Sequence, residues 1–98
     1  MAYHSTGFDA ALATAAGDDV SLKQELRIAF AQSCARQLDL LRRSRCDGNW
    51  EVAAGKLHAI AANFHADELV ELASEALAAA PGEPTVIHRI DAFVGALA

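Results

Sequence analysis

Apolar residues recur along this chain at helical steps of three and four, in stretches divided by turn-forming clusters. Gly17-Asp18-Asp19, Asp47-Gly48-Asn49 and Pro81-Gly82-Glu83-Pro84 are the breaks, and a softer boundary lies near His65, ahead of Asp67-Glu68. The first predicted helix is short, from about Phe8 to Ala16, with Phe8, Leu12 and Ala15 on one face. The second starts after Asp18 or Ser21, where Ser21-x-x-Gln24 has capping-box spacing, and runs to about Arg45. Leu22, Leu26, Phe30, Leu38 and Leu41 form its apolar steps; Ile28, Ala31, Ala35 and Leu40 widen them, as suits a helix with several neighbours. Asn49 reads as the N-cap of a third helix from Trp50, whose Trp50, Ala53, Leu57, Ile60, Ala61 and Phe64 make the cleanest stripe in the chain. The fourth helix carries Leu69, Leu72, Ala73, Ala76 and Ala80 and stops at Pro81-Gly82. In the last, Pro84 suits the first helical position, and Val86, Ile87, Ile90, Phe93, Val94 and Leu97 fall at core spacing.

Short connections make successive helices antiparallel. The expected fold is therefore all-α: an up-and-down antiparallel four-helix bundle of helices two to five, with the short first helix over one end. Residues 1–98 read as one domain, because 98 residues are too few for a second core. Alanine and leucine dominate, and β-branched residues are too sparse for a sheet.

Eight basic against thirteen acidic residues give a formal charge of −5, which disfavours nucleic-acid phosphates and anionic membranes as partners. Met1-Ala2-Tyr3-His4-Ser5 lacks the basic start of a secretory signal, and no run approaches the roughly 18 apolar residues of a spanning helix. A cytoplasmic location is expected. Cys34 and Cys46 lack C-x-x-C spacing, so both read as small packing residues with free thiols, a disulfide being the other reading.

With Leu57 at the centre of the third helix's buried face, Val52, Gly55, Ala59 and Ala62 point away from the core. Glu51, Lys56, His58 and Asn63 flank them, so the outward surface is small and apolar at its middle and polar at its edges. Alanine fills exposed helical positions on propensity alone. Glycine does not, since it costs about 1 kcal/mol relative to alanine inside a helix. Gly55 thus raises the alternative that a partner approaches closely here.

Ala54-Gly55-Lys56-Leu57-His58-Ala59-Ile60-Ala61, followed by His65-Ala66, resembles the motif of the histidine-containing phosphotransfer (HPt) domains of bacterial phosphorelays. That motif reads approximately A-H-x-L-K-G-x-A, with G-A four or five residues later. The Gly17-Asp18 turn before the long helix and Gly48-Asn49-Trp50 ahead of the motif extend the likeness over nearly the whole chain. Gly55 stands in place of the phosphoacceptor histidine, His58 in place of lysine, and Ala59 and His65 in place of glycines. The resemblance therefore implies a degenerate HPt domain of a two-component system, a pseudo-phosphotransferase that is not expected to be an enzyme. Its expected partner is a response-regulator receiver domain or a histidine kinase, docked on Val52, Gly55, Lys56, His58, Ala59 and Ala62.

Two other functions fit the same residues. His58 is a displaced candidate nucleophile, although it projects about 60° around the helix from Gly55. The small-residue face also suits self-association as a homodimer or scaffold. No cofactor is implied and no metal site is expected, because no histidine has a glutamate three positions before it. His4 lies near the terminus, and His88 reads equally well as a surface or a partly buried residue. Arg36, Arg42, Arg43 and Arg45 put half of the basic charge near one helix end, where cations suit the helix dipole. Trp50 reads as a core anchor.

Overall fold

A computed structural model describes residues 6–97 as five helices. They are α1 (Thr6–Ala16), α2 (Val20–Arg43), α3 (Asp47–Asn63), α4 (Asp67–Ala78) and α5 (Pro84–Ala96), and no strand occurs among the described residues. His4 lies outside them. At about 1.5 Å per residue, α2 is roughly 36 Å long, most of the molecule's 43 Å long dimension. It packs against α1, α3 and α5, while α4 packs against α3 and α5. Among the described residues, no helix is long and apolar enough to cross a membrane.

The core is built on Trp50, Leu12, Leu41, Leu57, Leu69, Ile90 and Cys34, all fully buried. The packed helices α3 and α4 bury alanines as well as large residues: Ala53, Ala54 and Ala61 on α3 and Ala73 and Ala76 on α4. Small buried side chains of this kind permit closer helix packing than leucine would. The indole N–H of Trp50, at the start of α3, donates to the carbonyl of Ala76 in the last turn of α4 at 2.7 Å. That bond satisfies a buried donor and ties two helix ends together. The Phe30 ring of α2 packs at a tilt between Phe8 of α1 (4.9 Å) and Phe64 just beyond α3 (5.1 Å). Arg27 lies over the Phe8 ring and pairs with Asp9 at 3.3 Å, which fixes α1 to α2.

Several sequence expectations shift at helix ends. Asp19, not Ser21, caps α2 by accepting the Leu22 N–H at 3.0 Å, and the helix ends at Arg43 rather than Arg45. Cys46, not Asn49, is the N-cap position of α3, which begins at Asp47 and has no side-chain cap bond. In α1 the buried residue is Ala16 rather than Ala15. Helix α4 ends at Ala78, so Ala80 lies beyond it and is exposed. Leu22, Ile28, Leu40 and Ala35 of α2 are exposed, and Cys34 supplies the core step between Phe30 and Leu38. Cys46 is exposed, contrary to a packing role. Pro84 takes the first position of α5 as expected, and the Glu83 carboxylate accepts from the N–H groups of Thr85 and Val86.

The α3–α4 turn closes as a Schellman motif. Ala66 N–H donates to the Ala61 carbonyl (2.8 Å) and His65 N–H to that of Ala62 (3.2 Å). His65 therefore adopts φ 55°, where glycine is the usual residue. Beside this turn, a Cβ on Gly7 would come within 3.2 Å of the His65 carbonyl oxygen, a tight contact that a few tenths of an ångström of movement would relieve.

Two predictions follow from this packing. The left-handed conformation costs an L-residue about 1–2 kcal/mol, against about 0.4–1 kcal/mol for glycine's extra freedom when unfolded. His65→Gly is thus expected to raise stability in urea denaturation by about 0.5–1 kcal/mol; a lower midpoint would mean that contacts of the imidazole outweigh the strain. Burial pushes the Cys34 thiol up from its ordinary 9.0 to about 12. The unfolded chain loses this proton first, so the stabilisation is full below the ordinary thiol value and is lost as pH rises towards the folded one. Cys34→Ala should lower stability overall yet show a shallower alkaline decline, and an unchanged slope would refute the assignment.

Candidate functional site

The buried face of α3 fixes the helix rotation. Trp50, Ala53, Ala54, Leu57 and Ala61 are sealed in the core, with Ile60 and Phe64 half-buried beside them. The opposite side is consequently turned to solvent. Val52 is 58% exposed, Ala59 and Ala62 are exposed, and Gly55 is half-buried in the strip they form. Lys56, Glu51 and Asn63 are exposed at its edges, and His58 is half-buried. The structure thus brings every sequence-predicted docking residue onto one helix face.

At Gly55 neither backbone nor packing asks for glycine. The residue lies inside α3, and beyond its chain neighbours and the helix's own backbone an added Cβ would meet no atom of the described residues within 4 Å. Its absence only lowers the surface at the middle of the strip. His58 lies three residues on, about 60° around the helix and roughly 4.5 Å along it, so an imidazole there does not occupy the space above Gly55.

The basic cluster is dispersed. Arg42 pairs with Asp91 of α5 at 3.1 Å, Arg43 with Asp39 one turn back at 3.0 Å, and Arg36 donates to Ser33 Oγ. Arg42 and Arg43 occupy the last turn of α2, where the helix dipole favours cations. His88 is exposed. Among the described residues, no three His, Cys, Asp or Glu side chains stand together in a way that would hold a metal ion.

Two surface features escaped the sequence reading. An apolar groove of about 470 Å³ runs between α2 and α5, with Ile28, Ala31 and Ala35 on one wall and Val94 and Leu97 on the other. A cleft of about 300 Å³ opens between α2 and α3, lined by Leu40, Arg43, Ser44, Asn49, Val52 and Ala53. Leu40 was legible only as extra apolar coverage of α2. Its sharing of the cleft with Val52 depends on how two helices are set against each other, which periodicity within one helix does not encode.

Comparison with known proteins finds no match to a family model, to a curated protein or to a solved structure. The site is therefore characterised by its own geometry: a low, exposed strip on α3 with a basic-edged cleft on one flank.

Since none of the described residues occupies the space above Gly55, Gly55→Ala is expected to stabilise the protein by about 0.5–1 kcal/mol through helix propensity. Thermal or urea denaturation measures this. A destabilised variant would show that the helix needs glycine there after all.

Proposed function

We propose that this chain is an HPt-like module of a two-component phosphorelay. It would bind a response-regulator receiver domain or a histidine kinase through the outer face of α3 without forming a phosphohistidine. The reading includes the finer architecture, an up-and-down antiparallel four-helix bundle of α2–α5 with α1 as an N-terminal addition. It is supported by the packing of α2 and α4 each against both α3 and α5, so that chain neighbours are also spatial neighbours.

The observation that carries the functional reading is the open space over Gly55 within an exposed strip. Glycine disfavours the helix, no contact among the described residues requires it, and its effect is to let an outside surface come closer. Gly55, His58, Ala59 and Ala62 would form the contact, with Val52 extending its apolar part. Burial of that centre supplies affinity, and Lys56 and Glu51 at the rim orient the partner.

The chemistry argues for binding over transfer. Glycine offers no nucleophilic atom, and phosphoryl transfer needs near in-line placement. An error of about 1 Å in positioning can cost roughly 100-fold in rate. A phosphoryl group held above Gly55 would therefore be poorly placed for His58.

The test is a binding screen against receiver domains, with and without phosphorylation. Ala59→Glu and Ala62→Glu are expected to abolish binding while leaving the helical circular-dichroism spectrum intact. Unchanged binding by both variants would rule out this surface.

A further inference from the structure

The seam between α2 and α3 is not closed along its whole length. Near the Ser44-Arg45-Cys46 connection it opens into the 300 Å³ cleft, and two large apolar side chains stand at its mouth: Leu40, 44% exposed, and Val52, 58% exposed. Leaving both in water is unfavourable, and here they flank a concavity rather than lying scattered.

Charge around the cleft runs against the charge of the chain. Arg36, Leu40 and Arg43 follow one another at helical steps of four and three, so the two guanidiniums bracket Leu40 on one ridge of α2. On α3, Lys56 lies one turn beyond Val52 on the same ridge. The acidic residues of the first half of α3, Asp47 and Glu51, are each two positions from the cleft residue Asn49 and so face nearly the opposite side of the helix. On α2, Asp39 is an acidic neighbour, and its 3.0 Å pair with Arg43 joins two side chains that are each more than half exposed. Such a pair is weak and leaves Arg43 free to meet another carboxylate.

We propose that this cleft docks an acidic amphipathic helix of another protein. The helix would insert one apolar side chain between Leu40 and Val52 and set carboxylates against Arg36, Arg43 and Lys56. A helix presents an anchor with flanking groups three and four positions away, which matches the spacing of the basic residues around Leu40. The inference does not rest on receiver binding: the docking shares Val52 and Lys56 with the strip, but it is centred on Leu40 and the α2-facing flank of α3 and does not use Gly55, Ala59 or Ala62.

The probe is a helical peptide with a central leucine flanked by glutamates at three- and four-residue spacing, titrated into the isotopically labelled protein and followed by NMR. Backbone shifts are expected at Leu40, Ser44, Asn49 and Val52. Affinity should fall about tenfold or more when the glutamates are replaced by lysines or the leucine by serine, and should weaken with salt because exposed charges are screened. Arg43→Glu combined with Lys56→Glu should cause a comparable loss with the helical spectrum intact, whereas Ala59→Glu should leave peptide binding unchanged. Equal affinity for both charge versions, no shifts at millimolar peptide, shifts confined to other surfaces, or loss on Ala59→Glu would each overturn the proposal. So would a dimer of the protein alone that buries Leu40 and Val52.

Discussion

The structure depends most on how α3 is held. Its N-terminal turn is anchored by Trp50, fully buried, whose indole N–H reaches the Ala76 carbonyl near the end of α4. A buried indole donor without a partner would be costly, so this bond favours a single placement of the α3 start. Ala54, Leu57 and Ala61 carry the same constraint along the helix by burying successive turns. Once that face is committed to the core, the direction of every other side chain on α3 follows from helical geometry. The exposure of Val52, Ala59 and Ala62 is thus a consequence of the core.

This dependence explains which features could be read from the sequence. The stripe of α3 and the steps of α5 are repeated signals, and agreement among many positions outweighs an error at any one of them. The outward strip follows by the same arithmetic. Helix ends rest instead on single residues competing for similar roles. Asn49 has the chemistry of an N-cap, yet α3 begins two residues earlier, behind a cysteine that makes no cap bond. Asp19 and Ser21 both suit the start of α2, and Asp19 accepts the Leu22 N–H. Cys34 reads correctly as a small packing residue, and it is fully buried; what a stripe counted in leucine and phenylalanine leaves out is that it supplies the core step between Phe30 and Leu38.

Net charge illustrates a similar limit. A total of −5 describes the chain as a whole and bears on non-specific binding to polyanions. It does not describe any one face. Five of the eight basic residues fall between Arg36 and Lys56, and α4 carries Asp67, Glu68, Glu71 and Glu75. A partner meeting the α2–α3 side encounters a different field from one meeting α4, within a molecule only about 20 Å across. Electrostatic selection between faces is effective at that scale, since screening at physiological salt acts over about 8 Å.

The two flanks of α3 are also unequal in packing. Towards α4, alanines on both helices allow close contact, and the Trp50 bond secures the end. Towards α2, the helices are joined through Ser44 and Cys46, both in extended backbone conformations. Ser44 turns its hydroxyl back to the Leu40 carbonyl at 2.8 Å, so it serves its own helix rather than bridging to α3. Asn49, displaced from the capping role, contributes to the lining of the cleft instead. The seam stays open there because the connection between the helices is extended and neither Leu40 nor Val52 is drawn into the core. The same rotation of α3 that exposes Ala59 and Ala62 therefore also exposes Val52, and strip and cleft are two results of one packing decision.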